Sequence, residues 1–125
     1  MKKLHIEDYQ SLSHGDLIQT VGTAPGESKE TTEYFRIVKC MYELDYFLAL
    51  IPTDEKGNVP DEAPLEVFNK REFFTMINDT EEWNGGVYLC NNAESDLEVF
   101  QTDSKELFEE MKASFVELTP STEER

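Results

Sequence analysis

Tyr34-Phe-Arg-Ile-Val-Lys-Cys-Met-Tyr-Glu-Leu-Asp-Tyr-Phe-Leu-Ala-Leu-Ile51 is the stretch whose reading decides the fold. Its apolar positions 37, 40, 41, 44, 48 and 51 fit one stripe of a helix. Its aromatic and β-branched residues fit two strands instead, as does the turn Thr53-Asp-Glu-Lys-Gly-Asn58 that follows. We read a hairpin, roughly 34–41 and 46–51, with Glu43 to Asp45 near the bend. A long helix here would give a different fold.

Upstream, Leu17-Ile-Gln-Thr-Val21 reads as a strand. A polar loop follows from Gly22 to about Thr32, with Gly22, Pro25, Gly26 and Ser28 keeping it exposed. Downstream, Leu65-Glu-Val-Phe68 recurs as Leu97-Glu-Val-Phe100, 32 positions later. Each copy precedes a helix start with the same logic: Asn69 with Glu72, and Asp103 with Glu106, have capping-box spacing. At an offset of 34, Phe73, Phe74 and Ile77 match Leu107, Phe108 and Met111, with Gln101-Thr102 as the insertion. Phe115 continues the apolar side of the last helix. Either an internal repeat or chance accounts for the echo, and both give the same local structure. Trp83-Asn-Gly-Gly86 supplies a turn and Gly86-Val-Tyr-Leu-Cys90 a strand, with Asn91 to Asp96 closing a hairpin onto the second Leu-Glu-Val-Phe. The expected fold class is therefore α+β: one domain over residues 1–118, with a mixed, mostly antiparallel sheet and about two helices in the C-terminal half. Residues 119–125 are expected to fray.

Composition narrows function by exclusion. Twenty-seven acids face 11 bases, a net charge of −16 over 125 residues. Residues 1–60 hold 10 acids and 6 bases (−4), and residues 61–125 hold 17 acids and 5 bases (−12). Such a field repels nucleic acid and anionic membrane and speeds encounter with basic partners. Eight Phe, five Tyr and one Trp supply enough burial to argue against disorder. Cys40 and Cys90 form no CxxC pair and read as buried reduced thiols, with one disulfide as the alternative. The start carries no apolar signal region and no run is long enough to span a bilayer, so the expected compartment is the cytoplasm.

No catalytic, metal or cofactor pattern stands out. His5 and His14, with Glu7, Asp8 and Asp16 nearby, match no zinc spacing. Ser11, Ser13, His14 and Asp16 hold triad ingredients without a nucleophile elbow. Asp54 to Asn58 lacks the ligand order of a calcium loop and reads as a surface turn. Gly15, Gly22 and Gly26 make no phosphate loop. No metal or cofactor is expected, and the chain is read as a non-enzyme.

The acidic surface is the remaining candidate. Asp103, Glu106, Glu109 and Glu110 lie away from the apolar face of the last helix, and Asp79, Glu81, Glu82, Glu94, Asp96 and Glu98 add to them. Helical neighbours three and four apart lie ~5–6 Å from each other, close to the phosphate spacing of a nucleic-acid strand. Such a face can occupy a basic, nucleic-acid-binding groove of a partner protein, or serve solubility alone. In size and composition the chain resembles small acidic inhibitors of phage and mobile elements, and toxin immunity proteins. That resemblance rests on no motif. It implies a non-enzymatic protein that masks a basic surface, with Asp103, Glu106, Glu109, Glu110, Glu81, Glu82, Glu94 and Asp96 as partner contacts. Two alternatives stand beside it. One is a shape-specific immunity-type inhibitor using Tyr34, Tyr42 and Tyr46. The other is a small-molecule-binding or enzymatic domain with a sheet–helix pocket, favoured by a deep pocket holding His14.

Overall fold

In the computed structural model, which describes residues 1–91, 93 and 96–116, the chain runs β1 (Lys2–Lys3), a 3₁₀ helix (Ile6–Ser11), β2 (Leu17–Gly22), β3 (Thr31–Tyr42), β4 (Asp45–Thr53), β5 (Glu66–Val67), α1 (Lys70–Glu82), β6 (Gly86–Leu89), β7 (Phe100–Gln101) and α2 (Lys105–Val116). Glu94, the side chain of Phe115 and the tail 119–125 lie outside the described residues. The decisive stretch is the hairpin β3–β4, in register from Tyr34↔Thr53 to Tyr42↔Asp45. Helical spacing in this run is accidental. A strand buried on both faces is apolar at successive positions, and any such run can be threaded with a 3.6-residue stripe.

The strands form one sheet in the order β1-β6-β2-β3-β4-β5, antiparallel throughout, and β7 adds parallel to β3 beyond the end of β2. The expected hairpin between residues 86–90 and 97–100 does not form. Both edges of β6 are already taken, by β1 and β2, and positive φ at Asn91 (54°) turns the chain away. The second Leu-Glu-Val-Phe keeps only its last residue in a strand, paired to Cys40 of β3.

Period-two alternation sends β3 side chains to opposite faces. Phe35, Ile37 and Lys39 share a face with Leu48, Leu50, Ile18 and Val87. The 3₁₀ helix and α1 cover that face, burying Leu4, Leu12, Phe68, Phe73 and Ile77 in the main core. Val38, Cys40 and Tyr42 share the other face with Phe47 and Ala49, where a smaller core forms. There α2 lays Phe108 over the rings of Phe47 and Tyr42, at centroid distances of 5.4 and 6.1 Å. The molecule is a single α+β domain with one helix on each side of the sheet.

The two helices begin alike. Asn69 caps α1, its side chain accepting from Glu72 N–H at 2.8 Å. The cap of α2 is Ser104, not Asp103: Ser104 Oγ accepts from Leu107 N–H at 3.1 Å, while Thr102 Oγ1 accepts from Ser104 N–H. The equivalence between the helices is thus 35 residues rather than 34, which matches Phe73 with Phe108, the fourth residue of each helix and buried in both. Phe74 and Leu107, assigned to the buried face from sequence, point outward. α1 also ends in a Schellman motif, with Gly85 N–H bonded to Thr80 O, Asn84 N–H to Glu81 O, and Asn84 left-handed at φ 60°. Gly85 then runs so close to β2 that a Cβ there would collide with the Val21 carbonyl.

Candidate functional site

The β3–β4 hairpin turns through two residues, Glu43 and Leu44, between the paired Tyr42 and Asp45. Glu43 takes positive φ (54°), and Leu44 is 98% exposed. A fully solvated leucine at a hairpin tip contributes nothing to the core. Beside the tip lies the start of α2. Phe108 anchors it underneath, which leaves Glu106, Glu109 and Glu110 exposed and Leu107 45% exposed. Lys112 Nζ reaches Asp45 at 3.3 Å and ties helix to tip. Two shallow grooves separate the elements. Glu43 lines both, facing Asp103 across one and Glu109 across the other. The result is an acidic pole in which Leu44 is exposed beside Glu43, Asp45 and Glu109, with Lys105 and Lys112 as its cations.

Of the acids singled out from sequence, Asp103, Glu106, Glu109 and Glu110 share this pole. Asp96 and Glu98 are exposed on the segment that packs Leu97 against the same small core that Phe47 covers. Glu81 and Glu82 are exposed near the C-terminal end of α1, in the layer over the opposite face of the sheet, and Asp79 is half-buried there. The acids therefore occupy two layers rather than one continuous face. Glu43 and Asp45 belong to the pole and were missed, because sequence placed them at a bend without placing that bend beside the last helix.

Tyr34, Tyr42 and Tyr46 do not come together. Tyr34 pairs with Thr53 at the far end of the hairpin and accepts a hydrogen bond from Gln19 at 3.0 Å. Tyr42 packs on Phe108 on one sheet face, whereas Tyr46 stands on the other, its ring 4.6 Å from Lys39 Nζ.

On that second face the sheet, the chain just after the 3₁₀ helix and the start of α1 enclose a cleft of about 580 Å³. Lys39, Tyr46 and Leu48 line it from the sheet, Tyr9 and His14 from one side, and Asn69 from the other. Tyr9 links the two sides by donating from its hydroxyl to Phe68 O at 2.7 Å, and burial raises its pKa. His14 splices the sheet. Its Nδ1 accepts from Lys39 N–H at 2.9 Å, where β3 has left β2 and not yet met β7. Nε2 therefore carries the hydrogen and donates to Leu97 O at 2.6 Å. Both ring nitrogens are engaged by backbone, which leaves His14 a wall of the cleft rather than a free base.

Arg36 is buried and donates to Gly15 O at 3.0 Å and Gly57 O at 3.3 Å, holding two loops to β3. Asp54 is consumed by its own turn, accepting from Lys56 N–H and Asn58 N–H at 2.9 Å each, and these amides hold its carboxyl below the usual range. Both cysteines are free thiols; burial pushes Cys40 up to about 11. Among the described residues no three of His, Cys, Asp and Glu converge as a metal site, and no helix is long and apolar enough to cross a membrane. Comparison with known protein families, characterised proteins and solved structures finds no match.

Proposed function

We propose that this chain is a non-enzymatic binding protein whose acidic pole docks on, and masks, a basic surface of a partner protein. The observation that carries this reading is Leu44, 98% exposed between Glu43 and Asp45 and sharing a groove with Glu109 of α2. Charge and apolar anchor have separate roles. The carboxylates steer encounter over the ~8 Å Debye length of physiological salt and favour a basic partner. Leu44, once desolvated in a partner's socket, sets how long the complex lasts. A groove that ordinarily binds nucleic acid is a suitable partner surface, since the helical glutamates repeat at ~5–6 Å.

The test begins by capturing a partner at low salt and measuring its association rates at two salt concentrations. Reversing Glu106, Glu109 and Glu110 to Lys should slow association strongly, and Leu44→Ser should speed dissociation. All four side chains are exposed, so folding should survive. A partner that binds both variants like the wild type, at a rate indifferent to salt, would overturn the proposal.

A further inference from the structure

The cleft beside His14 differs in kind from the rest of the surface. Acids make up 27 of the 125 residues, a proportion that would place two or three among the twelve residues lining the cleft, yet none of those twelve is a carboxylate. The one full charge among them is Lys39. No described carboxylate lies within 4 Å of its ammonium, which rests instead on the Tyr46 ring at 4.6 Å. Asn69, the N-cap of the 13-residue α1, stands at the rim, so the positive end of a helix dipole adds to the lysine. Tyr9 and Tyr46 bring aromatic side chains to the cleft, and Tyr46 is 51% exposed. Its volume of about 580 Å³ lies within the range of pockets that hold small molecules.

A −16 surface repels anions in general. A cleft free of carboxylates, with a lysine standing on a ring, reverses that locally. We infer that this cleft binds a small aromatic molecule carrying one anionic group, a carboxylate or a phosphate. The anion sits against Lys39 and the start of α1, and the ring stacks on Tyr46 in place of solvent. The site lies on the opposite sheet face from Phe108 and does not rest on the acidic pole.

Phenylacetate and phenyl phosphate are the probes, titrated into ¹⁵N-labelled protein and read by amide chemical shifts. Either should move the amides of Lys39, Tyr46, Asn69 and Lys70 saturably, and the tighter of the two names the anionic group. Benzyl alcohol and inorganic phosphate, each lacking one half of the ligand, should bind at least about ten-fold more weakly. Lys39→Met keeps the aliphatic stem on Tyr46 and should weaken either probe by about ten-fold, while Lys39→Arg should retain binding. Tyr46→Ala, at a half-exposed position, should also weaken binding with the spectrum otherwise unchanged. The inference is overturned if neither probe saturates by about 10 mM. It is equally overturned if benzyl alcohol or inorganic phosphate binds as well as the probes, or if Lys39→Met binds them unaltered.

Discussion

The two helices start from the same plan and end with different support. Each has a side-chain cap and a buried phenylalanine at its fourth position. Beneath α1, Phe73, Ile77 and Thr80 are buried, and the first two join a core drawn from β2, β3, β4, β6 and the 3₁₀ helix. Beneath α2, Phe108 is the buried side chain among the described residues, and it rests on two rings of a single hairpin. α1 is also closed at its C-terminus by a Schellman motif. The lesson is that an amphipathic helix can serve as a structural layer or as a presented surface, and the depth of its anchorage decides which. The acidic pole lies on the shallow side.

Truncating the two phenylalanines tests that contrast at its largest. Phe73→Ala should lose about 5 kcal/mol, the upper end for a buried phenylalanine, and Phe108→Ala about 3 kcal/mol, because α2 can detach locally instead of leaving a cavity. Denaturant melts check the magnitudes. Hydrogen exchange checks the mechanism, since amides of α2 should lose protection in Phe108→Ala while those of α1 keep theirs. Equal losses with uniform exchange would mean that the layers are equally anchored.

A smaller effect sharpens the register of α2. Ser104→Ala should cost about 0.5–2 kcal/mol, the range for a lost N-cap, and Asp103→Ala should leave the melting midpoint nearly unchanged. The opposite ranking would restore the cap to Asp103. Smaller again, Glu43→Gly should raise stability by about 0.5–1 kcal/mol. Relief of left-handed strain, about 1–2 kcal/mol, outweighs the added freedom of glycine in the unfolded chain, about 0.5–1 kcal/mol. A destabilised hairpin would show that the Glu43 side chain supports the bend.

The slightest effect is in pH dependence. His5 N–H holds the Asp8 carboxyl, and Asn58 N–H the Asp54 carboxyl, below the ordinary value of 3.8. Their stabilisation is therefore complete above that value and lost as pH falls through the depressed folded one. Urea midpoints of the wild type and Asp54→Asn, compared from neutral pH downward, should converge in acid. The comparison separates this effect from the general relief of negative charge. For Cys40 the sign is reversed: with the folded value raised from 9.0 to about 11, stability falls as pH rises through that interval, and Cys40→Ala should make the slope shallower, leaving the part due to Cys90 and Tyr9, which burial also raises.

Local pattern made much of this fold legible. β2, the β3–β4 hairpin, the start of α1 and the order of elements after residue 65 could be read because each is written in a short window. The pairing of β6 could not, since β1, which takes one of its edges, is two residues long and has no period to read. The structural role of His14 could not be read because its partners, Lys39 and Leu97, are 25 and 83 residues away. The cap of α2 was misplaced by one residue because Asp103 and Ser104 are both good caps, and the packing of Phe108 selects between them. For the candidate sites, sequence supplied the acids but not their division between two layers. The lack of carboxylates in the cleft is a property of the folded surface and leaves no mark in any window.

Both margins of the sheet are strands of two residues, β1 and β5, while the long β3 and β4 lie inside. Where β4 runs past β5 it carries Pro52, which has no N–H to offer a neighbouring chain. A sheet this wide with long bare rims would template strand addition and grow into fibrils. Short rims, a proline and mutual repulsion between copies of charge −16 close that route together. Strand addition between copies is thus disfavoured at both rims, and the exposed Leu44 sits at a hairpin tip rather than on either of them.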